Sequence, residues 1–248
     1  MEIVNTGDVL LFSSNTVTGF ILRTATSSMW NHLGIAVRVR ITPEGTPEVT
    51  CSLQDTLCVL ELNAVSRFDL LTGELNSGMT LSKFQDLSGG YNHIVVRKLR
   101  EPFRNHPRFL PLINDFIKKY REYVFADRAA PFLGVWLGLP FVDGQRSEFF
   151  CSEMAVYFYD ECVGPLLAEH QGVSYQAGDL KVLFGKEGPH LPSLYTPEHF
   201  SGGITFQSPI FENSEVSVTR HYADPVVALY QPLILTLAVM VVLAMLLP

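Results

Sequence analysis

An uncharged apolar run near the C-terminal end constrains this chain more than any other feature. Of the 23 residues 226–248, 19 are apolar and none carries a charge. As a helix, 226–247 would be about 33 Å long at about 1.5 Å per residue, which matches the thickness of a bilayer core. A buried helix of this length usually shows a polar stripe, whereas this run has only Thr236 after Pro232. We therefore predict a transmembrane anchor over 226–247 rather than a buried C-terminal helix.

The rest of the chain has the composition of an ordinary folded domain. With 248 residues, 47% of them hydrophobic, and with 17 Phe and 9 Tyr, it can bury a real core, which excludes wholesale disorder. The net charge of −7 and the scattered basic residues argue against binding to nucleic-acid phosphates. The seven His and four Cys show no metal-ligand spacing, so we expect neither a metal nor another cofactor.

The position of the anchor predicts where the domain resides. The segment 1–8 has neither the basic nor the apolar region of a secretory signal, so a single late span would leave the preceding residues in the cytosol. We expect a catalytic domain over 1–206, a linker over 207–225 and the anchor over 226–247. The protein would then be single-pass and tail-anchored. The lack of basic residues after the span favours the endoplasmic reticulum or a membrane derived from it.

Apolar periodicity predicts four strands and two helices. The strands are 8–12, 33–39, 57–62 and 93–99, and the helices are 108–125 and 147–163. The prolines and the glycine of 41–50 predict a loop, and a last short strand is expected near 204–206. Strands followed by helices in this order predict an α+β domain, in which an antiparallel sheet packs on helices.

Cys151 is the best candidate for a nucleophile. It falls in the first turn of the second predicted helix, within the segment 149–154 (FFCSEM). Backbone amides and the dipole at a helix N-terminus favour a thiolate, and the N–H of Cys151 could stabilise an oxyanion. The other cysteines are placed less well: Cys58 in a strand, Cys162 near a helix C-terminus and Cys51 in a loop. The alternative for Cys151 is a small core residue on an aromatic helix.

A nucleophilic cysteine needs a base, normally a histidine, and a third group that orients the imidazole. His32 opens the second predicted strand, where Gly34 leaves space beside it, and Glu61 is an acid inside the otherwise apolar third strand. If these two strands pair in antiparallel fashion, Glu61 comes to lie beside His32. Taken singly, His32 could be a structural histidine and Glu61 a solvent-facing acid. Together with Cys151 they predict a Cys-His-Glu site.

Five segments in a fixed order resemble one enzyme family. They are 7–12 (GDVLLF), 30–37 (WNHLGIAV), 59–61 (VLE), 150–154 (FCSEM) and 195–198 (YTPE). They are similar to the permuted papain-like amidases of the YaeF/YiiX type, a branch of the NlpC/P60 superfamily in which the histidine precedes the cysteine. The resemblance implies a circularly permuted papain-like fold, a Cys151–His32 pair and Glu61 as the group that orients the imidazole. The chain departs from the family in having Met154 for Leu and in lacking a Tyr-Asp pair after the middle helix.

Taken together, these observations favour a membrane-anchored cysteine hydrolase or acyltransferase. It would cleave an amide, ester or thioester through Cys151, His32 and Glu61. Tethering would concentrate it on membrane lipids or lipid-modified proteins, and peptide amides are the second class of substrate. The alternative from a different class is a catalytically inactive papain-like domain that acts as a membrane-tethered binding or structural module. A thiol at Cys151 that reacts no faster than the one at Cys51 would favour the module.

Overall fold

The structure is a computed structural model that describes residues 3–16, 19, 23, 28–125, 148–172, 174–185, 191–201 and 208–220. The strands are β1 (Val9–Ser13), β2 (His32–Ile41), β3 (Pro47–Thr50), β4 (Thr56–Asp69), β5 (Glu74–Lys83), β6 (His93–Leu99), β7 (Val124–Phe125), β8 (Glu148–Phe149) and β9 (Phe211–Arg220). The α-helices are α1 (Phe84–Ser88), α2 (Glu101–Arg104), α3 (Phe109–Tyr120), α4 (Cys151–Cys162), α5 (Gly164–Gln171) and α6 (Leu180–Phe184). Two 3-10 helices, Pro192–Leu194 and Pro197–Phe200, follow α6.

A seven-stranded sheet forms the centre of the described structure. Its strand order is β5-β4-β2-β1-β6-β9, and β3 pairs with β2 off this path. All the neighbouring strands in this sheet run antiparallel, whereas β7 and β8 form a separate parallel pair. The fold is therefore a mostly antiparallel sheet with few helices.

Alternating residues of β2 contribute to two separate cores. Leu33, Ile35 and Val37 belong to the larger core, whereas Ala36 belongs to the smaller one, as the period of two in a strand requires. Apolar side chains of α3 and α4 complete the larger core, among them Phe109, Ile113, Phe116, Met154, Ala155 and Phe158. The strand that begins with His32 is thus buried on both faces and gives the site a rigid support.

The sheet is larger than the sequence predicts. β4 continues past Leu62 to Asp69, and β5 lies where the apolar periodicity predicts no strand. The two strands pair from Cys58 opposite Lys83 to Asp69 opposite Glu74, so they satisfy each other's backbone hydrogen bonds whatever their side chains. The predicted loop 41–50 likewise contains β3.

The predicted linker 207–225 contains a strand of the main sheet. β9 pairs with β6, with Val216 opposite Val96 and Glu215 opposite Arg97. Serine and glutamate residues interrupt the apolar pattern of β9, so the sequence pattern did not predict this strand. The folded domain therefore extends to residue 220 rather than ending at 206, and the strand expected near 204–206 lies outside the described residues.

The membrane anchor must be corrected. Among the residues that the structure describes, no helix is long and apolar enough to cross a bilayer. The predicted anchor 226–247 itself lies outside the described residues. The described structure therefore does not support the C-terminal transmembrane helix of the predicted fold class. It likewise does not support the tail-anchored location in the endoplasmic reticulum or a derived membrane, which depended on that helix.

Candidate active site

The pairing of β2 with β4 brings His32 and Glu61 together. Gly34 lies directly opposite Glu61 in the antiparallel ladder, so His32 is the diagonal neighbour of the acid, within reach of a long side chain. Nε2 of His32 lies 2.7 Å from Oε2 of Glu61. Both residues are buried, His32 with 8% and Glu61 with 0% of its surface exposed. The bond fixes the orientation of the imidazole and leaves Nδ1 as its second proton-carrying nitrogen.

Cys151 is the first residue of α4. Phe150, which precedes it, has extended backbone angles, so the helix begins at the cysteine itself. The N–H groups of a first helical turn have no acceptor within the helix, and their partial positive charge favours an anion nearby. The Cys151 thiol is buried and lies beside His32, close enough to raise the pKa of the imidazole. The structure thus brings together the three residues that the sequence singled out, while their catalytic role remains a prediction.

The surroundings of His32 favour its charged form. Burial works to lower the pKa of His32, but the hydroxyl of Tyr91, the thiol of Cys151 and the carboxylate of Glu61 outweigh it. The pKa of His32 is therefore raised well above its ordinary value of 6.5. An imidazole that keeps its proton at neutral pH can act as a general acid and can stabilise a neighbouring thiolate.

Two further residues, Arg67 and Tyr91, adjoin the site, and sequence analysis missed both. Nε of Arg67 lies 3.2 Å from Oε1 of Glu61, an ion pair without hydrogen-bond geometry. Nη2 of Arg67 donates a hydrogen bond of 3.4 Å to the hydroxyl of Tyr91. The ring of Tyr91 is nearly parallel to the imidazole of His32, at 7° with a centroid distance of 6.2 Å. The carboxylate of Glu61 therefore has His32 at Oε2 and Arg67 at Oε1.

The sequence offers little that would identify these two residues. Arg67 lies in the unpredicted half of β4, and a register shift between Asn63 and Arg67 breaks the alternation that relates it to Glu61. Tyr91 follows the turn at Gly89 and Gly90 and lies just ahead of β6. An aromatic residue next to a strand is only a weak indication of a functional role, because most such residues pack against a core.

Hydrogen bonds outside the Cys-His-Glu group hold the segments that carry it. Oε2 of Glu198 accepts a hydrogen bond of 3.0 Å from the Ser28 hydroxyl, which itself accepts one of 2.9 Å from the N–H of Trp30. Ser152, at the start of α4, donates a hydrogen bond of 2.7 Å to the carbonyl of Tyr195. The segment 195–198 therefore connects the loop before β2 with the N-terminus of α4.

The other three cysteines lack these surroundings. Burial raises the pKa of Cys51 and of Cys162, and it raises the pKa of Cys58 to about 12. These thiols therefore stay protonated at neutral pH, where a protonated thiol is a poor nucleophile. All four cysteines are free, so the three provide internal controls for the reactivity of Cys151.

The three residues of the candidate site are arranged for proton transfer rather than for the binding of a metal ion. The imidazole of His32 bonds to the Glu61 carboxylate, and the Cys151 thiol lies close enough to raise its pKa. In the described part of the chain, no group of three or more His, Cys, Asp or Glu side chains could hold a metal ion. The chemistry that this arrangement supports is proton transfer coupled to attack by sulfur.

No protein-family model matches the chain, and no curated protein matches it either. Among solved structures, the metalloprotein YiiX from Escherichia coli O157:H7 aligns with 88% of this chain and with 98% of its own. The two are 15% identical, with a TM-score of 0.43. YiiX is thus a distant structural neighbour, membership of the NlpC/P60 superfamily is not shown, and at these values we draw nothing from YiiX about the chemistry of this chain.

Proposed function

We propose that the chain is a cysteine hydrolase or acyltransferase that cleaves an amide, ester or thioester through Cys151, His32 and Glu61. The observation that carries the proposal is the buried imidazole of His32, which bonds to Glu61 at 2.7 Å and lies beside the Cys151 thiol, close enough for the thiol to raise the pKa of His32. A nucleophile, a base and a group that orients the base are what acyl transfer requires. The order of the sequence motifs, with His32 before Cys151, supports a permuted papain-like enzyme related to the NlpC/P60 superfamily.

In the first step, the sulfur of Cys151 attacks the carbonyl carbon of the substrate. A C–S bond forms, and the electron pair of the C=O bond moves to the oxygen. The N–H of Cys151, at the start of α4, is the donor available to that oxygen. When the tetrahedral intermediate collapses, the leaving group takes the proton of His32, and a thioester between the acyl group and Cys151 remains.

In the second step, an acceptor attacks this thioester. His32 takes the proton of the acceptor, the acyl carbon bonds to the acceptor oxygen or nitrogen, and the sulfur of Cys151 leaves with the electron pair of the C–S bond. Water as acceptor gives a carboxylic acid, whereas another hydroxyl or amine gives a transferred acyl group. Glu61 balances the charge of the imidazolium whenever His32 is protonated, and it keeps Nε2 in place.

A catalytically inactive binding module is the second candidate, and the burial of the thiol favours it. Only 7% of Cys151 and 8% of His32 is exposed, so a substrate has little open surface through which to reach the sulfur. A binding module would have no need of a reachable thiol. The two candidates therefore differ in the reactivity that they predict for Cys151.

Alkylation by iodoacetamide, followed at each cysteine by mass spectrometry, separates the two candidates. For an enzyme, we expect Cys151 to react about ten-fold or more faster than Cys51 at pH 7, because sulfur reacts as the thiolate. We expect His32→Gln to remove that advantage. Turnover of an activated thioester should be lost in Cys151→Ser and kept in the matched variant Cys51→Ser. Equal alkylation rates at Cys151 and Cys51, together with no turnover, would contradict the enzyme and favour the binding module.

A further inference from the structure

The geometry of Arg67 points to a role beyond neutralising Glu61. The side chain of Arg67 is 27% exposed, whereas that of Glu61 is completely buried. Its ion pair uses only Nε, and among the described residues its other contact is the bond of 3.4 Å from Nη2 to Tyr91. A guanidinium carries five N–H donors in a fixed plane. Most of the donors of Arg67 thus have no acceptor in the described part of the protein.

The charges at the site leave the Arg67 guanidinium open to an anion. The single carboxylate of Glu61 faces two cationic groups, His32 at 2.7 Å and Arg67 at 3.2 Å. When the leaving group takes the proton of His32, Glu61 and Arg67 remain as an ion pair that involves only Nε of the guanidinium. The other N–H groups of Arg67 stay available to a negatively charged group of the substrate.

We propose that Arg67 determines specificity by binding a carboxylate of the substrate near the carbonyl that Cys151 attacks. This inference rests on the proposed function and names the substrate class: acyl compounds that carry a carboxylate. A guanidinium and a carboxylate form two parallel N–H···O bonds, which a lysine cannot reproduce. The bond of Arg67 to Tyr91 holds the guanidinium on the side of the site that faces His32.

Iodoacetate and iodoacetamide test the inference with Cys151 as the reporter. The two reagents are nearly equal in size, and each forms a C–S bond with loss of iodide, but only iodoacetate carries a carboxylate. We expect the ratio of the iodoacetate rate to the iodoacetamide rate to fall about five-fold in Arg67→Gln and in Arg67→Met, because the attraction between opposite charges is lost. Arg67→Lys keeps the positive charge but loses the two parallel bonds, so it should keep only part of the ratio. Arg40→Gln, at an exposed ion pair with Glu48, is the matched control and should keep all of it.

The outcomes distinguish this inference from the proposed function. An unchanged ratio in Arg67→Gln and Arg67→Met overturns the inference. An equal loss of both rates also overturns it, because Arg67 would then only hold Glu61 in place. The proposed function fails separately, if iodoacetamide labels Cys151 no faster than Cys51, and the ratio can still be measured in that case.

A measurement on the unmodified chain covers the case in which the variants fail to fold. N-acetylglycine has a carboxylate next to an amide carbonyl, and N-acetylglycinamide is its neutral counterpart. We expect N-acetylglycine to protect Cys151 from iodoacetamide at concentrations about five-fold lower than N-acetylglycinamide, again because of the charge. Equal protection by the two compounds, or none by either, contradicts the inference.

Discussion

Gly34 lies directly opposite Glu61 in the β2–β4 pair, and the close approach of the two strands there lets His32 reach the acid. A Cβ atom added at Gly34 would lie 2.4 Å from Cγ1 of Val59 and 3.3 Å from Cβ of Glu61. The strands can therefore keep their spacing only if residue 34 has no side chain. The geometry of the candidate site therefore depends on this glycine, although it is not one of the three site residues.

Gly34→Ala should disturb both the fold and the site. We expect it to lower the free energy of unfolding by about 1–3 kcal/mol, the usual cost of overpacking, and to slow the alkylation of Cys151 because Glu61 moves away from His32. Urea unfolding and iodoacetamide labelling measure the two effects. Gly89→Ala is the matched control, since a Cβ there meets nothing within 4 Å. A Gly34→Ala variant that behaves like Gly89→Ala would contradict the role of the close approach.

Glu61→Gln should lower the pKa of His32. Glutamine keeps the size of the side chain but removes the charge that favours the imidazolium, so one of the groups that raise this pKa is lost. The titration of the His32 ring followed by NMR should shift to lower pH, and turnover of an acyl probe should fall by about 100-fold or more. Glu48→Gln, at an exposed carboxylate, provides the control. An unchanged His32 titration would show that Glu61 does not act on the imidazole.

His32 should also make the stability of the domain depend on pH. Its pKa in the folded state is raised above the ordinary value of 6.5, so folding favours the protonated ring. The stabilisation is fully present below pH 6.5 and is lost as the pH rises through the pKa of the folded state. We expect the difference in free energy of unfolding between the unmodified chain and His32→Gln to shrink from pH 6 to pH 9, as measured with urea. A difference that grows over this range would have the wrong sign.

Much of the candidate site could be predicted because its determinants are local or periodic. The alternation of Leu33, Ile35 and Val37 defines β2, and a cysteine that follows an aromatic pair at the start of a helix pattern is visible in the sequence. The antiparallel pairing that places Glu61 beside His32 then follows from two adjacent strands of one sheet. All three residues are close together in the structure.

The positions of Arg67 and Tyr91 beside the site could not be predicted, because they depend on tertiary pairing rather than on a local sequence pattern. Arg67 comes near Glu61 only because β4 extends along β5 and because the register shifts between Asn63 and Arg67. Both features depend on backbone hydrogen bonds, which the side-chain sequence does not indicate. β9 is a similar case, since its polar residues suit an edge strand as well as a linker. The predicted membrane anchor over 226–247 is a different case, because it lies outside the described residues, and among those residues no helix has the length and apolar character of a membrane span.

A buried ion pair near the start of the chain provides the last prediction. Asp8 is completely buried, and it accepts hydrogen bonds from the backbone N–H of Leu99 at 2.9 Å and from Nη2 of Arg104. Burial raises the pKa of Asp8 to about 6, although Arg104 works in the opposite direction. Arg104 also donates to the carbonyls of Leu99 at 2.8 Å and of Thr6 at 3.1 Å. The pair thus joins the residue that precedes β1 to α2, which follows β6.

Arg104→Met should therefore destabilise the domain more at pH 8 than at pH 5. At pH 8 the variant leaves a charged Asp8 without its partner, which should cost about 3–5 kcal/mol. Without Arg104 the pKa of Asp8 rises further, so the carboxylate takes up a proton and the cost is relieved as the pH falls through that pKa. Urea unfolding of the variant and of the unmodified chain at both pH values measures the difference, and Arg40→Met, at the exposed pair with Glu48, should show no measurable change. The same loss of stability at pH 5 and pH 8 would mean that Asp8 does not change its charge between them.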